Sequence, residues 1–487
     1  MKNSTKILQA IFCMLLLFSF SVHAQTNVSG GIYANTTWTL ANSPYIVTDT
    51  IVVFPTITLT IEPGVTVKFD DNKVLELRQS TLIAVGTATD SITFTSNSVS
   101  PYPGIWGKVF MTGTGNRVCR LSYCNFKYGS KGFQCVPGGQ YTDTVFLKHS
   151  HFDSNVSGFD GYNNFYSFVD SCDFTNNTSA GVYGTKDINH STFRGNATGI
   201  TYMIYNVENC YFDSNQLGIF GFGAQVTNCI LRNNLTGIQM NTLMGVIDNC
   251  IINHGQSGVW MIGSTTLKNS VIDSNSVAGV TIIGSFSTAQ FITNCQIKYN
   301  DIGLFDSTSV GSIITGNQID SNNIGIIIRY SQDTVYCNSI CGNTNWGLQY
   351  LQPSSTSFIA GNYWCTNDSA TVESYIYDGY DNITWGLVNY MPIDTLQCFL
   401  STGISSTDSR IFSATVFPNP VHDKLNVVLD NNVQSEIVVY DLLSHPLVRT
   451  SFSRSISINT QSFSAGIYLY QVRSKNGGFE SGRFVKE

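Results

Sequence analysis

A short sequence pattern returns about every 20 residues through the middle of this chain. One copy reads NCYFDSNQLGI at positions 209–219, and the next reads NCILRNNLTGI at positions 228–238. The glycine that closes each copy recurs at steps of 18 to 26 residues. A period of this length is typical of a solenoid, in which each coil buries its apolar face only against the coils above and below it. These glycines are Gly132, Gly158, Gly181, Gly199, Gly218, Gly237, Gly258, Gly279, Gly303, Gly325 and Gly347.

Three further columns indicate which kind of solenoid this is. A small residue stands eight or nine positions before the glycine, and a large apolar residue follows two positions later, so alternate residues point the same way, as in a strand. The small column is Cys124, Ser150, Cys172, Ser191, Cys210, Cys229, Cys250, Ser270, Cys295, Asn317 and Asn338. The large column is Phe126, Phe152, Phe174, Phe193, Phe212, Leu231, Ile252, Ile272, Ile297, Ile319 and Ile340.

The third column is asparagine, three or four residues before most of the glycines. Asn tolerates the left-handed backbone conformation, so we predict a sharp bend at this column in each coil. Strand, bend, glycine and second strand without helical periodicity predict an all-β fold, a right-handed parallel β-helix. A leucine-rich repeat has a similar period, but its LxxLxL frame is absent. The asparagines are Asn155, Asn177, Asn196, Asn215, Asn234, Asn275, Asn300, Asn322 and Asn343.

The cysteines follow the same columns. Coils of a β-helix stack at about 4.8 Å, so like residues form vertical files. The six cysteines of the small column are therefore predicted to form a buried, reduced ladder rather than disulfides. Cys341 and Cys365 both fall in an outward column, one coil apart, which makes them a candidate disulfide.

Composition excludes two broad classes. The chain is 42% hydrophobic and only 12% charged, which is too apolar for disorder. The net charge is −7 and no run of Lys or Arg exists, so no nucleic-acid partner is expected.

The order of these signals predicts five segments. Residues 1–24 read as a secretory signal peptide, with an apolar run that ends in a small-x-small cleavage site. Residues 25–117 supply an N-terminal cap and the first coils, and residues 118–398 the regular β-helix with its closing segment. A small polar linker follows at 399–412. Residues 413–487 predict six or seven short strands in a small β-sandwich.

The motifs of the last segment resemble the type A C-terminal sorting domain of the type IX secretion system of Bacteroidetes. The matching phrases are PNP, IxVYD, AGIY and a basic FVK finish, although Ser444 and His445 stand where that family has Gly followed by a basic residue. The PGIW and GNYWC phrases of the solenoid likewise resemble secreted bacterial β-helix proteins. The residues carrying the tail motifs are Pro418, Asn419, Pro420, Tyr440, Asp441, Gly466, Tyr468 and Lys486.

This resemblance implies a route and a location. It implies export by the Sec translocon, passage through the type IX outer-membrane translocon, and removal of the tail by the sortase of that system. The protein would then be attached to surface lipopolysaccharide or released outside the cell. The tail determines where the protein is delivered and carries no information about the function of the solenoid.

The sequence identifies no catalytic residue, metal site or cofactor. The column outside the bend alternates Arg194, Asp213 and Arg232, which we interpret as a solvated salt-bridge ladder. His149 and His190 lie two coils apart, or roughly 10 Å by the strand spacing, which is too far for a shared metal ion.

The second strand of each coil suggests a binding surface instead. If the residue after the glycine points inward, the next one points outward, and this outward column carries several rings. Spaced aromatic and amide side chains on a flat sheet suit stacking on sugar rings. The alternative is that the chain's own loops cover this strip, or that it is tolerated apolar surface. The candidate glycan-binding residues are Tyr183, Phe220, Phe222, Gln239, Trp260 and Phe305.

Two classes of function stay open at this point. The first is a non-catalytic surface protein that serves in adhesion, glycan binding or surface structure, with an extracellular polysaccharide as partner. The second is a polysaccharide lyase or glycoside hydrolase. Carboxylates on adjacent coils with an Arg in a groove would favour the enzyme, and a flat, uncharged aromatic face would favour binding.

Overall fold

The computed structural model describes residues 25–113, 117–135, 144–162, 166–241, 244–284, 289–308, 311–353, 355–396, 414–429, 433–441, 446–474 and 479–487. The expected signal peptide at 1–24 and the expected linker at 399–412 lie outside these residues. The chain divides into two compact units, Met1–Thr402 and Gly403–Glu487.

The first unit is a parallel β-helix of about 14 turns, which confirms the predicted fold. In the described residues of this unit, 41 strands form one continuous hydrogen-bonded system, in which a strand pairs in parallel with its equivalents on the neighbouring coils. Each coil of the regular region contributes one strand to each of three sheets, numbered here in the order in which the coil visits them.

The first sheet consists of β2 (Thr36–Trp38), β4 (Thr58–Ile61), β7 (Thr81–Val85), β10 (Val118–Ser122), β13 (Thr144–Lys148), β16 (Ser167–Asp170), β23 (Gln225–Thr227), β26 (Gly245–Asp248), β29 (Thr265–Lys268), β32 (Phe291–Thr293), β35 (Ile313–Thr315) and β38 (Thr334–Tyr336). The second sheet consists of β5 (Thr66–Phe69), β8 (Ile92–Ser96), β11 (Cys124–Lys127), β14 (His151–Asp153), β17 (Asp173–Thr175), β19 (Thr192–Arg194), β21 (Tyr211–Asp213), β24 (Ile230–Arg232), β27 (Ile251–Asn253), β30 (Val271–Asp273), β33 (Gln296–Lys298), β36 (Gln318–Asp320) and β39 (Ser339–Cys341).

The third sheet consists of β6 (Leu75–Arg78), β9 (Trp106–Thr112), β12 (Gly129–Cys135), β15 (Ser157–Asp160), β22 (Leu217–Gly221), β25 (Thr236–Met240), β28 (Ser257–Met261), β31 (Ala278–Gly284), β34 (Ile302–Thr308), β37 (Ile324–Ile328), β40 (Trp346–Tyr350) and β42 (Ile376–Tyr377). Four long strands bend across a corner and serve two sheets. They are β1 (Thr26–Ile32) and β3 (Tyr45–Val53), shared by the second and third sheets, and β18 (Ala180–Asn189) and β20 (Thr198–Glu208), shared by the third and first.

Equivalent residues of successive coils stack directly above one another, as the columns predict. The phenylalanines of the second sheet form a buried file in which neighbouring ring centroids lie 4.5–5.0 Å apart and the rings are nearly parallel. Offset stacking of this kind adds to the burial of apolar area. The file runs through Phe94, Phe126, Phe152, Phe174, Phe193 and Phe212.

The glycine column lets the coils approach each other where the second sheet turns into the third. A Cβ added to Gly218 would lie 2.5 Å from the carbonyl oxygen of Gly237 on the next coil, and Gly199 meets Gly218 in the same way. Any side chain there would push the coils apart, which explains the recurrence of glycine in the repeat.

The asparagine column is not the bend itself, which corrects the prediction. The left-handed residue of each coil is the one before it, as at Ser154, Asn176 and Ser214, whose φ angles are 56°, 54° and 57°. The column asparagines form a ladder instead, and all are buried except Asn343, which is partly exposed. Asn196 donates its side-chain amide to the carbonyl oxygen of Phe174 and to Oδ1 of Asn215, at 2.9 and 3.0 Å.

The six cysteines of the small column are buried and carry free thiols, as predicted. Cys210 and Cys229 each donate Sγ–H to a carbonyl oxygen two residues earlier, at 3.2 Å. Burial is the largest influence on the pKa of Cys172 and of Cys295 and raises each to about 12. Burial likewise holds the thiol pKa of Cys250 well above its usual value.

These thiols are therefore expected to resist alkylation in the folded protein. After exposure to iodoacetamide at pH 8, peptides that contain Cys172 or Cys295 should remain unmodified, because the reactive thiolate is scarce and the reagent has no access. The same peptides should be fully alkylated once the protein is unfolded in denaturant. Labelling of either cysteine in the folded state at the rate of a free thiol would contradict a sealed ladder.

The last coil is closed by a short helix and a small extra sheet. Helix α1 (Ser369–Glu373) begins after Asp368, whose side chain accepts a hydrogen bond from the backbone of Thr371. Strands β41 (Ser357–Phe358) and β43 (Val388–Asn389) pair in parallel. Trp364 and Val372 are buried in the solenoid core, so this segment covers the open end of the apolar files.

The second unit contains seven strands among its described residues, arranged as two antiparallel sheets around their own apolar core. The smaller sheet has the order β44 (Ala414–Phe417), β45 (Lys424–Leu429), β48 (Ser455–Asn459). The larger sheet has the order β47 (Pro446–Ser453), β46 (Gln434–Tyr440), β49 (Gly466–Ser474), β50 (Phe479–Lys486). This arrangement is the small β-sandwich that the sequence predicts.

Candidate functional site

The candidate glycan-binding residues lie, with one exception, on a single vertical file of the third sheet. We name it the ring-bearing file. Its members are partly exposed except at three positions, Gln134, Asp160 and Ile327, where they are buried. From the first coil upward the file reads Phe110, Gln134, Asp160, Tyr183, Thr201, Phe220, Gln239, Trp260, Thr281, Phe305, Ile327, Gln349 and Tyr377.

Four rings form a continuous cluster in the middle of this file. Tyr183 stacks on Tyr202 with ring centroids 4.8 Å apart. Tyr202 meets Phe222 edge-on at 6.2 Å, and Phe222 meets Phe220 edge-on at 5.0 Å. Phe222 follows strand β22 and is the exception that stands beside the file. Tyr202 was not among the predicted residues; its φ of 81°, at an irregularity in the pairing of β18 with β20, brings its ring beside Tyr183.

The upper part of the file carries single rings separated by polar residues. Trp260 lies between Gln239 and Thr281 on the adjacent coils, and Phe305 lies between Thr281 and Ile327. The indole N–H of Trp260 is buried and has no acceptor among the described residues. A buried indole N–H usually has a partner, so this donor is left available.

A polar cluster that sequence reasoning missed occupies the lower end of the file. Lys131 forms an ion pair with Oδ2 of Asp160, and Gln134 donates to the same oxygen at 2.8 Å. Lys108 donates to Oε1 of Gln134 at 2.7 Å and lies 4.8 Å from the centroid of the Phe110 ring. Asp160 is only 2% exposed, and its second oxygen has no hydrogen-bond partner among the described residues.

A second missed pair lies inside the solenoid. Asp306 and Asp333, 0% and 6% exposed, stand on adjacent coils. Ser312 donates to Asp306 at 2.5 Å, while Ser331 and the backbone of Ser312 donate to Asp333 at 2.5 and 2.8 Å. Burial, followed by the nearby charge of Asp306, raises the pKa of Asp333 to about 8. The signal in the sequence was a polar residue at an inward position of β34.

The charged residues outside the bend do not pair as the sequence predicts. No salt bridge joins Arg194, Asp213 and Arg232 among the described residues; the Asp213 carboxylate accepts instead from Asn233 at 2.9 Å and from Ser214 at 3.1 Å. The salt-bridge ladder is therefore wrong, because short amide and hydroxyl side chains at the corner reach the carboxylate first.

The two histidines occupy the left-handed corner between the first and second sheets. His149 and His190 have φ angles of 46° and 48°, and they have different neighbours. His149 stacks on Tyr123 at 4.8 Å, whereas Nδ1 of His190 lies 3.4 Å from Asp170. Within the described ranges, no three His, Cys, Asp or Glu side chains come together as metal ligands would.

The outward cysteines Cys341 and Cys365 are joined by a disulfide, with Cα atoms 5.7 Å apart. Cys337 is also disulfide-bonded. The Cys341–Cys365 bond ties the last regular strand of the second sheet to the closing segment.

In the second unit, the motif residues at the two ends of the domain meet. Oδ1 of Asn419 accepts a hydrogen bond from the backbone of Val485 at 2.8 Å, and Val421 bridges to Lys486. Tyr468 is buried, stacks on Phe484 at 5.5 Å, and donates its hydroxyl to the carbonyl oxygen of Ser464 at 2.8 Å. The remaining motif residues are placed in the turn and strands around them: Pro418 and Pro420 beside Asn419, Tyr440 at the end of β46, Asp441 after it, and Gly466 at the start of β49.

Comparison with known families identifies both units. Residues 415–487 match the secretion system C-terminal sorting domain, and residues 201–369 match the family described as periplasmic copper-binding protein (NosD). This chain is therefore a parallel β-helix protein. It carries a type IX sorting tail and is a secreted or cell-surface protein. No helix in the described part of the chain is long and apolar enough to cross a membrane.

Solved structures that resemble the chain do so at low identity. The tailspike protein of E. coli bacteriophage HK620, in complex with a pentasaccharide, is 12% identical with a TM-score of 0.36, over 94% of this chain and 86% of the tailspike. The periplasmic alginate epimerase AlgG is 10% identical with a TM-score of 0.31, over 74% of this chain and 81% of the epimerase. Likenesses this weak say nothing of what the chain binds or does. No curated protein matches the sequence.

The copper that the NosD family description mentions does not fit the residues found here. Within the matched range, the cysteines of the small column point into the core, and burial raises the thiol pKa of Cys229 and Cys295. A metal-binding cysteine must be a thiolate with open access. Together with the lack of any cluster of three ligands among the described residues, this gives no copper site.

Proposed function

We propose that this protein is a non-catalytic glycan-binding protein of the bacterial cell surface or surroundings, and that the ring-bearing file is its binding surface. The observation that carries the proposal is the cluster Tyr183, Tyr202, Phe220 and Phe222, with Trp260 two coils above Phe220 on the same partly exposed file. Parallel coils repeat at about 4.8 Å, so rings on alternate coils recur at roughly 10 Å, close to the length of two sugar residues in an extended chain.

The carboxylates argue against a hydrolase on this surface. Asp160 is the acidic residue of the file, and Glu76 lies in register with it on the coil below Phe110, so Phe110 and Gln134 stand on the coils between the two carboxylates. Three coil spacings separate them by roughly 14 Å, beyond the 5–9.5 Å that retaining and inverting glycosidases need. Asp306 and Asp333, which stand on adjacent coils, are buried inside the solenoid where a polysaccharide has no access.

The sorting tail supports the location that this function requires. A protein carried to the outer surface meets the polysaccharides of its own cell, of neighbouring cells and of the surroundings. Attachment to surface lipopolysaccharide and membership of the Bacteroidetes are part of this proposal.

Replacing Phe220 or Trp260 with alanine tests the binding surface. Each variant is expected to bind a retained polysaccharide at least about tenfold more weakly, because truncation of an aromatic anchor typically costs more than 1–2 kcal/mol. Affinity electrophoresis across a polysaccharide panel, followed by titration calorimetry, measures the change.

The matched control is Phe291→Ala, which removes a partly exposed ring from the first sheet. It should bind as the unaltered protein does. If the unaltered protein and the three variants bound the polysaccharide equally well, the ring-bearing file would not be the binding surface. If the control lost as much affinity as Phe220→Ala and Trp260→Ala, the substitutions would be damaging the fold.

A further inference from the structure

The lower end of the ring-bearing file places two lysines next to each other. Lys108 of β9 and Lys131 of β12 are direct partners in the parallel register. The pairing of these strands shifts immediately after this point, because β12 contains one more residue, Gly132, before the next partner pair, Phe133 and Val109. Like charges directly opposite each other destabilise a sheet, and bulges frequently redirect side chains beside functional sites.

Only one of these two cations has a carboxylate partner. Asp160 binds Lys131 and holds Gln134, and Gln134 turns its amide oxygen to Lys108. Among the described residues, Lys108 therefore contacts a neutral acceptor and the face of Phe110, with no acidic group within salt-bridge distance. Glu76, on the coil below, is engaged by Arg78 and Thr112.

Positive charge is in excess around Lys108. Burial, then the charge of Lys131, lowers the pKa of Lys108, and Asp160 offsets this only in part. Two neighbouring ammonium groups destabilise the folded protein unless another interaction compensates for their repulsion. An anionic ligand bound between them would provide that compensation.

This cation pair is continuous with the rings. Asp160, which holds Lys131, is the register partner of Tyr183 on the next coil, and Tyr183 stacks on Tyr202. An acidic group held by the lysines would leave the neighbouring sugar residues over these two rings.

We propose that Lys108 and Lys131 bind the acidic group, a carboxylate or a sulfate ester, of an anionic glycan whose neighbouring sugars stack on Tyr183 and Tyr202. This inference rests on the proposed glycan-binding function and specifies the substrate class. Lys108 is the main anchor, since Lys131 already has a carboxylate partner.

The test uses the purified full chain with three polysaccharide probes: a uronate polymer, a sulfated polymer and a neutral polymer. Lys108→Gln keeps a polar side chain that is one atom shorter and removes its charge. It is expected to weaken binding to one of the two anionic probes about tenfold, as loss of a charge-assisted hydrogen bond does, and to reduce the dependence of that affinity on salt. The probe that responds distinguishes a carboxylate from a sulfate.

The matched control is Lys186→Gln. Lys186 also lies over a phenylalanine ring, Phe168, at 5.4 Å, but beside the first sheet. It should leave all affinities unchanged.

The outcomes separate the two proposals. One outcome would overturn the anionic site but leave the glycan-binding surface standing. In that outcome the protein binds the neutral probe, Phe220→Ala weakens this binding, and Lys108→Gln binds both anionic probes as tightly as the unaltered protein does. Failure of the unaltered protein to bind any of a broad set of neutral and anionic polysaccharides would overturn both.

Discussion

Replacing Asn196 with alanine is expected to lower the free energy of unfolding of the solenoid by about 3 kcal/mol or more, a large loss for a single amide side chain. The reason is the number of buried groups that one side chain serves. Oδ1 of Asn196 accepts from the backbone and side-chain amides of Asn177, and its own amide donates to Phe174 and Asn215. Alanine leaves the backbone N–H of Asn177 and the carbonyl oxygen of Phe174 unpaired away from water.

Hydrogen exchange is the appropriate measurement, because a solenoid opens coil by coil and does not unfold in a single step. The amides of β17, β19 and β21, on the coils around Asn196, should lose protection in the variant before distant coils do. Asn206→Ala is the control, since its exposed side chain makes one hydrogen bond, to Asp187 at 2.6 Å, and its loss should cost less than about 1 kcal/mol. Equal exchange in the two variants would contradict a ladder that holds the coils together.

Replacing Asp333 with asparagine is expected to remove a pH dependence from the stability of the upper coils. The pKa of Asp333 is about 8 in the folded protein, against an ordinary value of 3.8 in the unfolded chain. Folding therefore favours the protonated carboxyl group. Its contribution to stability is fully present below pH 4 and falls as the unfolded chain ionises. It is lost as the pH rises through 8, where the folded carboxyl ionises as well.

The prediction is measured as the difference in the free energy of unfolding between the unaltered protein and Asp333→Asn from pH 4 to pH 9. Asparagine retains the shape and an N–H donor for Asp306 but does not ionise. The unaltered protein should lose stability relative to the variant by up to about 1 kcal/mol per pH unit through this range. Asp301→Asn, an exposed carboxylate that accepts from Asn323 at 2.8 Å, serves as the control. Parallel pH profiles for all three proteins would show that the ionisation of Asp333 does not affect stability.

The regular parts of the fold could be predicted because the repeat places like residues on like positions. Phe126, Phe152 and Phe174 stack because a parallel coil returns each residue to the same place one strand spacing higher. The same argument located the cysteine ladder.

What the repeat did not determine was the role of each polar residue within a coil. The intrinsic preference of asparagine made Asn177 a candidate for the left-handed bend. In the structure, however, Asn176 is the left-handed residue, and Asn177 is buried and hydrogen-bonds within the ladder. Asparagine can take either position, the left-handed bend or the buried ladder, and only the depth of the residue within the corner determines which one it takes. Arg194 and Asp213 failed as a pair for a related reason, because Asn233 lies closer to the carboxylate.

The candidate site was predicted in part for the same reason. Phe220, Gln239 and Trp260 share one file because they follow the regular register. Tyr202 and the Lys108–Lys131 pair lie at irregularities, where an extra residue in one strand redirects the side chains. Such shifts depend on the pairing of two particular strands, which a repeat pattern does not record.

The measurement that tests this account most directly exposes the purified protein to a panel of bacterial and plant polysaccharides and scores retention and new reducing or unsaturated ends on the same samples. The account predicts that at least one polysaccharide is retained, that Trp260→Ala loses that retention, and that the polymer is recovered uncut. Cleavage of the retained polymer, or retention that Trp260→Ala leaves intact, would contradict it.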